Sequence, residues 1–341
     1  MEIIKKGAPQ YKANLHCHST RSDGRLAPET LKDAYKAEGY SVLAITDHER
    51  PTDHTALSDP DFVMLTGYEA YIRTTGSYAF DRFAPEIHIN LFARDPHNTA
   101  YVCYTDAYCN YEKDPEARAA YKKVGSSEPR RYDVDYVNAF VKSAKENGYI
   151  CSHNHAFWSL ESYDYLKGYE GFFSMEIYNN SANLINGTEY NAQLYDHLLR
   201  DGKRLFCHAA DDNHNAAPFG SPGCDSFGGF TMIMADELSY SSVFDALERG
   251  SFYASMGPKF HSITIENGKI RIECDPVRQL TVFLGGKATL RAHGSKESPV
   301  CFAEFDMPEK YLYLRFDAID FEGKHANTRA YFEEEINNAN T

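Results

Sequence analysis

The sequence predicts an α/β protein with a largely parallel sheet, followed by a smaller β-rich region. Three observations carry this. From about residue 11 to 257, apolar runs of strand length alternate with amphipathic segments, the pattern of strands joined by crossover helices. The amphipathic segments end near glycine, as helices do. After about residue 258 the rhythm changes to short strands and turns. We therefore place one unit at 1–257 and a small accessory β-rich unit at 258–341.

Taken in order, the first strand ends in NLHCHSTRSDG (14–24), and further strands are expected at 41–48, 62–72, 86–93, 149–153, 172–178 and 204–212. Helices are expected over 28–40, 133–149, 188–202 and 239–250, where apolar residues recur at helical spacing. The stretch 94–131 breaks the pattern. It is polar, rich in tyrosine and too long for an ordinary connection, and such segments are often functional. It is expected to cap the site, with Tyr101, Tyr104, Tyr108 and Tyr111 packing over the mouth and stacking a base or sugar. A surface excursion on the side of the sheet is the other reading. In the β-rich region, HSITIENGKIRIEC (261–274) reads as a hairpin turning at Asn267-Gly268.

Composition narrows the function. The chain has 43% hydrophobic and 25% charged residues, enough for a sizeable core, and a formal charge of −14. With no Lys/Arg-rich block, long nucleic acid is not an expected partner. No apolar run is long enough to span a membrane, and the opening MEIIKKGAPQY lacks the apolar stretch of a signal peptide, so a cytoplasmic location is expected. The eight cysteines are scattered without CxxC spacing and read as unpaired thiols.

The chemistry gathers at strand ends. His16 and His18 alternate around Cys17, so an extended backbone points both imidazoles to one face, a pattern that suggests a metal. His48, Glu69, His88, His153, Asp212 and His214 also follow or end predicted strands. Strand ends that converge on one face bring such residues together. Imidazole and carboxylate suit zinc, manganese or iron, with no thiolate required.

In order and spacing, NLHCHSTRSDG, LAITDHE, GYEA, EIHIN, CSHNH and ADDNH resemble the motifs of the PHP (polymerase and histidinol phosphatase) superfamily of metal-dependent phosphoesterases. The resemblance covers about residues 11 to 257. It implies a distorted (β/α)7 barrel with a trinuclear site holding two to three divalent transition metals. One metal would be held by His16, His18, Glu69 and Asp212, a second by Glu69, His88 and His153, and the third by Asp23, His48 and His214. Glu69 would bridge the first two. Such a site carries a local positive excess that attracts phosphate into an acidic protein. The implied reaction is hydrolysis of a small phosphomonoester or nucleotide-like phosphodiester by a metal-held hydroxide, so the expected partner is a small phosphorylated metabolite or nucleotide.

His155 is a candidate to protonate the leaving alkoxide or hold phosphate, with an orienting or packing role equally open. Arg50 is a candidate phosphate contact, against the plainer reading of a solvated arginine. Asp211 neighbours Asp212 but lacks its Asp-x-His spacing. Glu176 and Asn179 stand at a further strand end and are read as pocket-lining. Two rival functions remain: a metallohydrolase acting on a non-phosphate ester, and a non-enzymatic metal-bound sensing or assembly domain. A polymerase-associated proofreading domain is disfavoured by acidity and by the lack of a polymerase region.

Overall fold

Val42–Ala44 and Val63–Leu65 are buried three-residue runs that extend a parallel ladder from Tyr11–Asn14, as expected of strands covered on both faces. They belong to a ten-stranded sheet. A five-stranded sheet runs in the spatial order Phe206–Ala210, Ser174–Asn179, Tyr149–His153, Glu86–Ala93, Gly67–Arg73. The computed structural model describes residues 1–338 and shows a mixed α/β protein.

The helices obey the local rules. Val134–Glu146 starts at Asp133, whose carboxylate accepts the Tyr136 N–H at 2.7 Å, and it buries Val137, Phe140 and Val141. It stops where Gly148 takes φ +84°, a conformation suited to glycine. Pro28–Ala37 carries its proline at the start and buries Leu31 and Tyr35.

The run 62–72, expected as one strand, is broken at Thr66. Its first part stays in the large sheet, while Gly67–Arg73 crosses to the five-stranded sheet and pairs antiparallel with Glu86–Ala93. Gly67 permits the crossing, since a Cβ there would lie 2.5 Å from the Leu91 carbonyl oxygen. Among the described residues a closed (β/α)7 barrel is not shown: the ladder is divided between two sheets, and an antiparallel hairpin stands in place of a helical crossover. The sheets still meet near the strand ends, through a bridge between His48 and Glu69 and a bond from Thr231 Oγ1 to the Ala209 carbonyl at 2.8 Å.

The 94–131 segment is ordered by its own short parallel pair, Tyr101–Val102 with Lys123–Val124, and by the helix Pro115–Ala120. A buried ion pair fastens it. The Arg130 guanidinium meets both carboxylate oxygens of Glu49, which also accepts the Tyr101 hydroxyl at 2.6 Å and the Tyr71 N–H at 2.9 Å. Tyr101, Tyr104 and Tyr108 are buried in the core rather than arrayed over a mouth. Of the four, Tyr111 reaches the cleft.

In the β-rich region, Phe260–Glu266 and Lys269–Val277 form the expected hairpin, with Asn267 and Gly268 at φ +51° and +72°, the signs a type I′ turn needs. The large sheet runs on across residue 258, because Phe252–Ser255 pairs with His325–Thr328. No helix among the described residues is long and apolar enough to cross a membrane.

Replacing Arg130 by Met would strand the Glu49 carboxylate in the core. A loss of about 3–5 kcal/mol is expected in urea unfolding, the usual cost of orphaning a buried charge. The double variant Arg130→Met/Glu49→Leu should recover a large part of it.

Candidate metal centre

The two histidines after Tyr11–Asn14 set the site. Their Nε2 atoms lie 3.1 Å apart, and both face Asp212 Oδ1, at 3.1 Å from His16 and 3.0 Å from His18. Cys17 points away into an apolar cluster, as alternation requires. Asp212 holds φ +53°, a strained conformation for a non-glycine residue. Its N–H binds the His16 carbonyl at 2.9 Å, and Asn179 donates to its Oδ2 at 3.2 Å.

Glu69 is the hub. Its carboxylate is buried, and His16, His18, His48, His88 and His155 approach it at 3.2, 3.4, 2.8, 3.1 and 3.4 Å. Asn154 adds a donor at 2.8 Å. Beside this hub Asp23 faces His18, His48 and His214 at 3.7, 3.6 and 3.5 Å. Asp23 rides on a loop fixed by Asp47, which accepts from the Ser19 N–H and from the Ser19 and Ser22 hydroxyls at 2.6–2.7 Å. Tyr111 from the 94–131 segment donates its hydroxyl to Asp23 Oδ2 at 3.0 Å, and its ring lies parallel to His48.

Four overlapping groups result: His18, Asp23, His48 and His214; His16, His18 and Glu69; His16, His155 and Asp212; and His48, Glu69 and His88. Within each, one ligand atom per residue lies within 4.8 Å of the others.

Two expected site residues stand elsewhere. His153 leaves the site: its Nε2 contacts Glu161 at 2.6 Å, and its ring packs near Tyr169 and Phe172. The reason is strand register. His153 pairs with Ile89, and partners across a ladder share a face, here the outer apolar one. His155 takes the inward place after the strand, with φ +20°. Inward-facing Asn90 opposite Ser152 carries the signal that could have separated the two histidines. Arg50 is not among the residues lining the cleft either. It pairs with Glu112 at 2.7 Å and donates to the Tyr111 carbonyl at 3.0 Å, tying the 94–131 segment to the His48 turn.

Glu176 and Asn179 hold the ligands. Glu176 accepts from His16 Nδ1 at 2.7 Å, which leaves Nε2 facing the cluster, and from the Asn179 amide at 2.8 Å. Asp211 is structural: it accepts the N–H groups of Phe227, Gly228 and Gly229 and the Tyr35 hydroxyl, and burial pushes its pKa up to about 6.

The electrostatics call for cations. Burial opposes charge on His88, yet the Glu69 and Glu86 carboxylates push its pKa up to about 10. His16 is likewise raised well above the ordinary imidazole value, with Asp212, Glu69 and Glu176 outweighing its burial. His18 goes the other way, lowered by burial and by His214 and His48, so protons satisfy the cluster poorly. The His48 Nδ1 and Glu69 Oε2 atoms, 2.8 Å apart, are buried and have no hydrogen-bond partner. A divalent ion accepting both would relieve that cost, so the donor set fits N/O-ligated metal.

The residues quoted for the family resemblance thus meet in space, with His155 in place of His153. Together they form one largely buried cluster of imidazole and carboxylate donors. No family model matches the chain. A 5′-3′ exoribonuclease of Haemophilus influenzae is 53% identical over 38 residues, 11% of this chain and 14% of that protein. Among solved structures, the chain is similar to a two-domain protein from Bacteroides vulgatus described as containing a predicted PHP-like metal-dependent phosphoesterase (13% identity, 93% of this chain and 94% of that one, TM-score 0.46). It is also similar to a protein from Bifidobacterium adolescentis named as a metal-dependent phosphoesterase (18%, 64% and 93%, TM-score 0.40). A third is an amidohydrolase from Chromobacterium violaceum with bound sulfate and no metal (16%, 62% and 93%, TM-score 0.39).

The clustered donor set predicts opposite results for the two neighbouring histidines. His155→Ala should lower the metal content measured by elemental analysis. His153→Ala should keep it and lose about 1–3 kcal/mol of stability, because buried Glu161 loses its partner.

Proposed function

We propose that the chain is a metal-dependent phosphoesterase acting on a small phosphomonoester or nucleotide-like phosphodiester. The observation that carries this is the convergence of the buried Glu69 hub, six histidines and two further carboxylates on a cleft of about 670 Å³. In this reading His16, His18, Glu69 and Asp212 hold one ion, Glu69, His48, His88 and His155 share a second, and Asp23, His48 and His214 face a third. Zinc, manganese and iron all suit these donors. The barrel implied by the resemblance is kept here in relaxed form, with strand ends of two sheets serving one cleft.

Divalent metal supplies a water of lowered pKa and neutralises developing negative charge. The protein's own contribution is placement. Glu176 orients His16, Asp47 fixes the loop of Asp23, and Tyr111 orients the Asp23 carboxylate. A cytoplasmic setting is part of the proposal, in keeping with eight unpaired cysteines.

Metal-loaded protein should hydrolyse p-nitrophenyl phosphate or its bis-ester in preference to carboxyl esters. EDTA should abolish turnover and lower the melting temperature, since a ligand that binds only the folded state stabilises it. His16→Ala should cost more than about a hundredfold in kcat/KM, beyond the 10–100-fold typical of outer partners of a metal ligand. Faster cleavage of carboxyl esters would favour the non-phosphate rival, and metal binding with no turnover on any ester would favour the sensing domain.

A further inference from the structure

The cleft above the ligands has an apolar side that phosphate chemistry alone does not need. Ten large hydrophobic side chains are exposed among the described residues, and four of them, Tyr78, Phe80, Leu184 and Ile185, line this cleft. Ile185 is 70% exposed and Phe80 56%. They come from separate segments: the loop between Gly67–Arg73 and Glu86–Ala93, and the helix Asn180–Asn186. Exposed apolar groups gathered in one concave place mark a binding surface.

Trp158 joins this side to the ligands. Its ring meets His155 edge-on at 5.0 Å and His88 at 5.6 Å between centroids, and it lies within 16° of parallel to Phe80 at 6.0 Å. The Phe80–Trp158 values fall in the offset-stacked range, so Phe80 layers against Trp158 and the pair forms an aromatic wall starting at the ligand shell.

The same cleft offers no free cationic side chain for a second anionic group. Apart from the histidines, its basic lining residue is Arg73, which is committed to Glu86 and to the Tyr78 carbonyl. A ligand with one anionic group at the histidine and carboxylate cluster and an apolar ring beyond it fits this layout. One carrying several phosphates does not.

We infer that the Phe80–Trp158 wall, with Leu184 and Ile185, is a subsite for the ring of an aryl phosphomonoester, and that the enzyme prefers such an ester to nucleoside polyphosphates. The reaction rests on the proposed phosphoesterase function; the subsite does not.

Trp158 is the sole tryptophan of the chain, so its fluorescence reports the wall directly. Metal-loaded protein is titrated with phenylphosphonate, methylphosphonate and ADP, none of them an aryl monoester that can turn over. Phenylphosphonate is expected to shift the Trp158 emission and bind at least about tenfold tighter than methylphosphonate, the scale of burying part of a ring. It should also bind tighter than ADP. Phe80→Ala and, separately, Ile185→Ser should each shrink the phenyl-to-methyl ratio several-fold. Because the readout is a ratio on one preparation, a general loss of fold or metal does not imitate it. Equal affinities, tighter binding of ADP, or no response to phenylphosphonate overturns the inference. Selective phenylphosphonate binding without hydrolysis of phenyl phosphate sustains the subsite and refutes the phosphoesterase function.

Discussion

A carboxylate buried without solvent must be met by positive charge, and Glu69 imposes that demand on the centre of this protein. Five imidazoles from four segments of the chain approach it. Removing a charge from water costs several kcal/mol even after relaxation. Histidines alone answer it badly, because burial opposes their charge and closeness to Glu69 also brings them against one another: the His18 pKa is lowered by burial and then by His214 and His48. Divalent cations would resolve the conflict by accepting the lone pairs that the imidazoles and carboxylates turn toward each other.

The backbone around Glu69 is shaped to allow this. The strand carrying it leaves the large sheet at Thr66 and crosses at Gly67, which places Glu69 under the ends of both sheets. One turn away, Glu49 at φ +52° directs its carboxylate to the other side, where Arg130 and Tyr101 receive it. The 94–131 segment thereby becomes part of the scaffold that fixes the His48 turn. Through Tyr111 it also reaches Asp23. Strain at Asp212 is offset locally in the same way, by backbone bonding to His16 and by Asn179.

Much of the site was legible because strand alternation and strand-end position are properties of short sequence. His16, His18, Asp23, His48, Glu69, His88, Asp212 and His214 are brought together in groups that could hold a metal. The exchange of His153 for His155 was not legible, because it depends on register against Ile89, a partner more than sixty residues away in sequence. The partner of Arg50 was hidden for a similar reason: Glu112 lies in a segment whose path local pattern does not determine. The buried Glu49–Arg130 pair and the core positions of Tyr101, Tyr104 and Tyr108 left no periodic trace. Of the fold, the alternating elements and the Asn267-Gly268 hairpin followed from local pattern, whereas the break at Thr66 that divides the ladder between two sheets is set by tertiary pairing.

The most direct test is an anomalous-difference map from crystals of the metal-loaded protein, recorded at the absorption edge of the metal found by elemental analysis. The account predicts a peak at bonding distance, about 2.0–2.3 Å, from a Glu69 oxygen and from an imidazole nitrogen of His16, His18, His48, His88 or His155, with none at His153. A map in which Glu69 carries no metal, its charge met by protonated histidines alone, would contradict it.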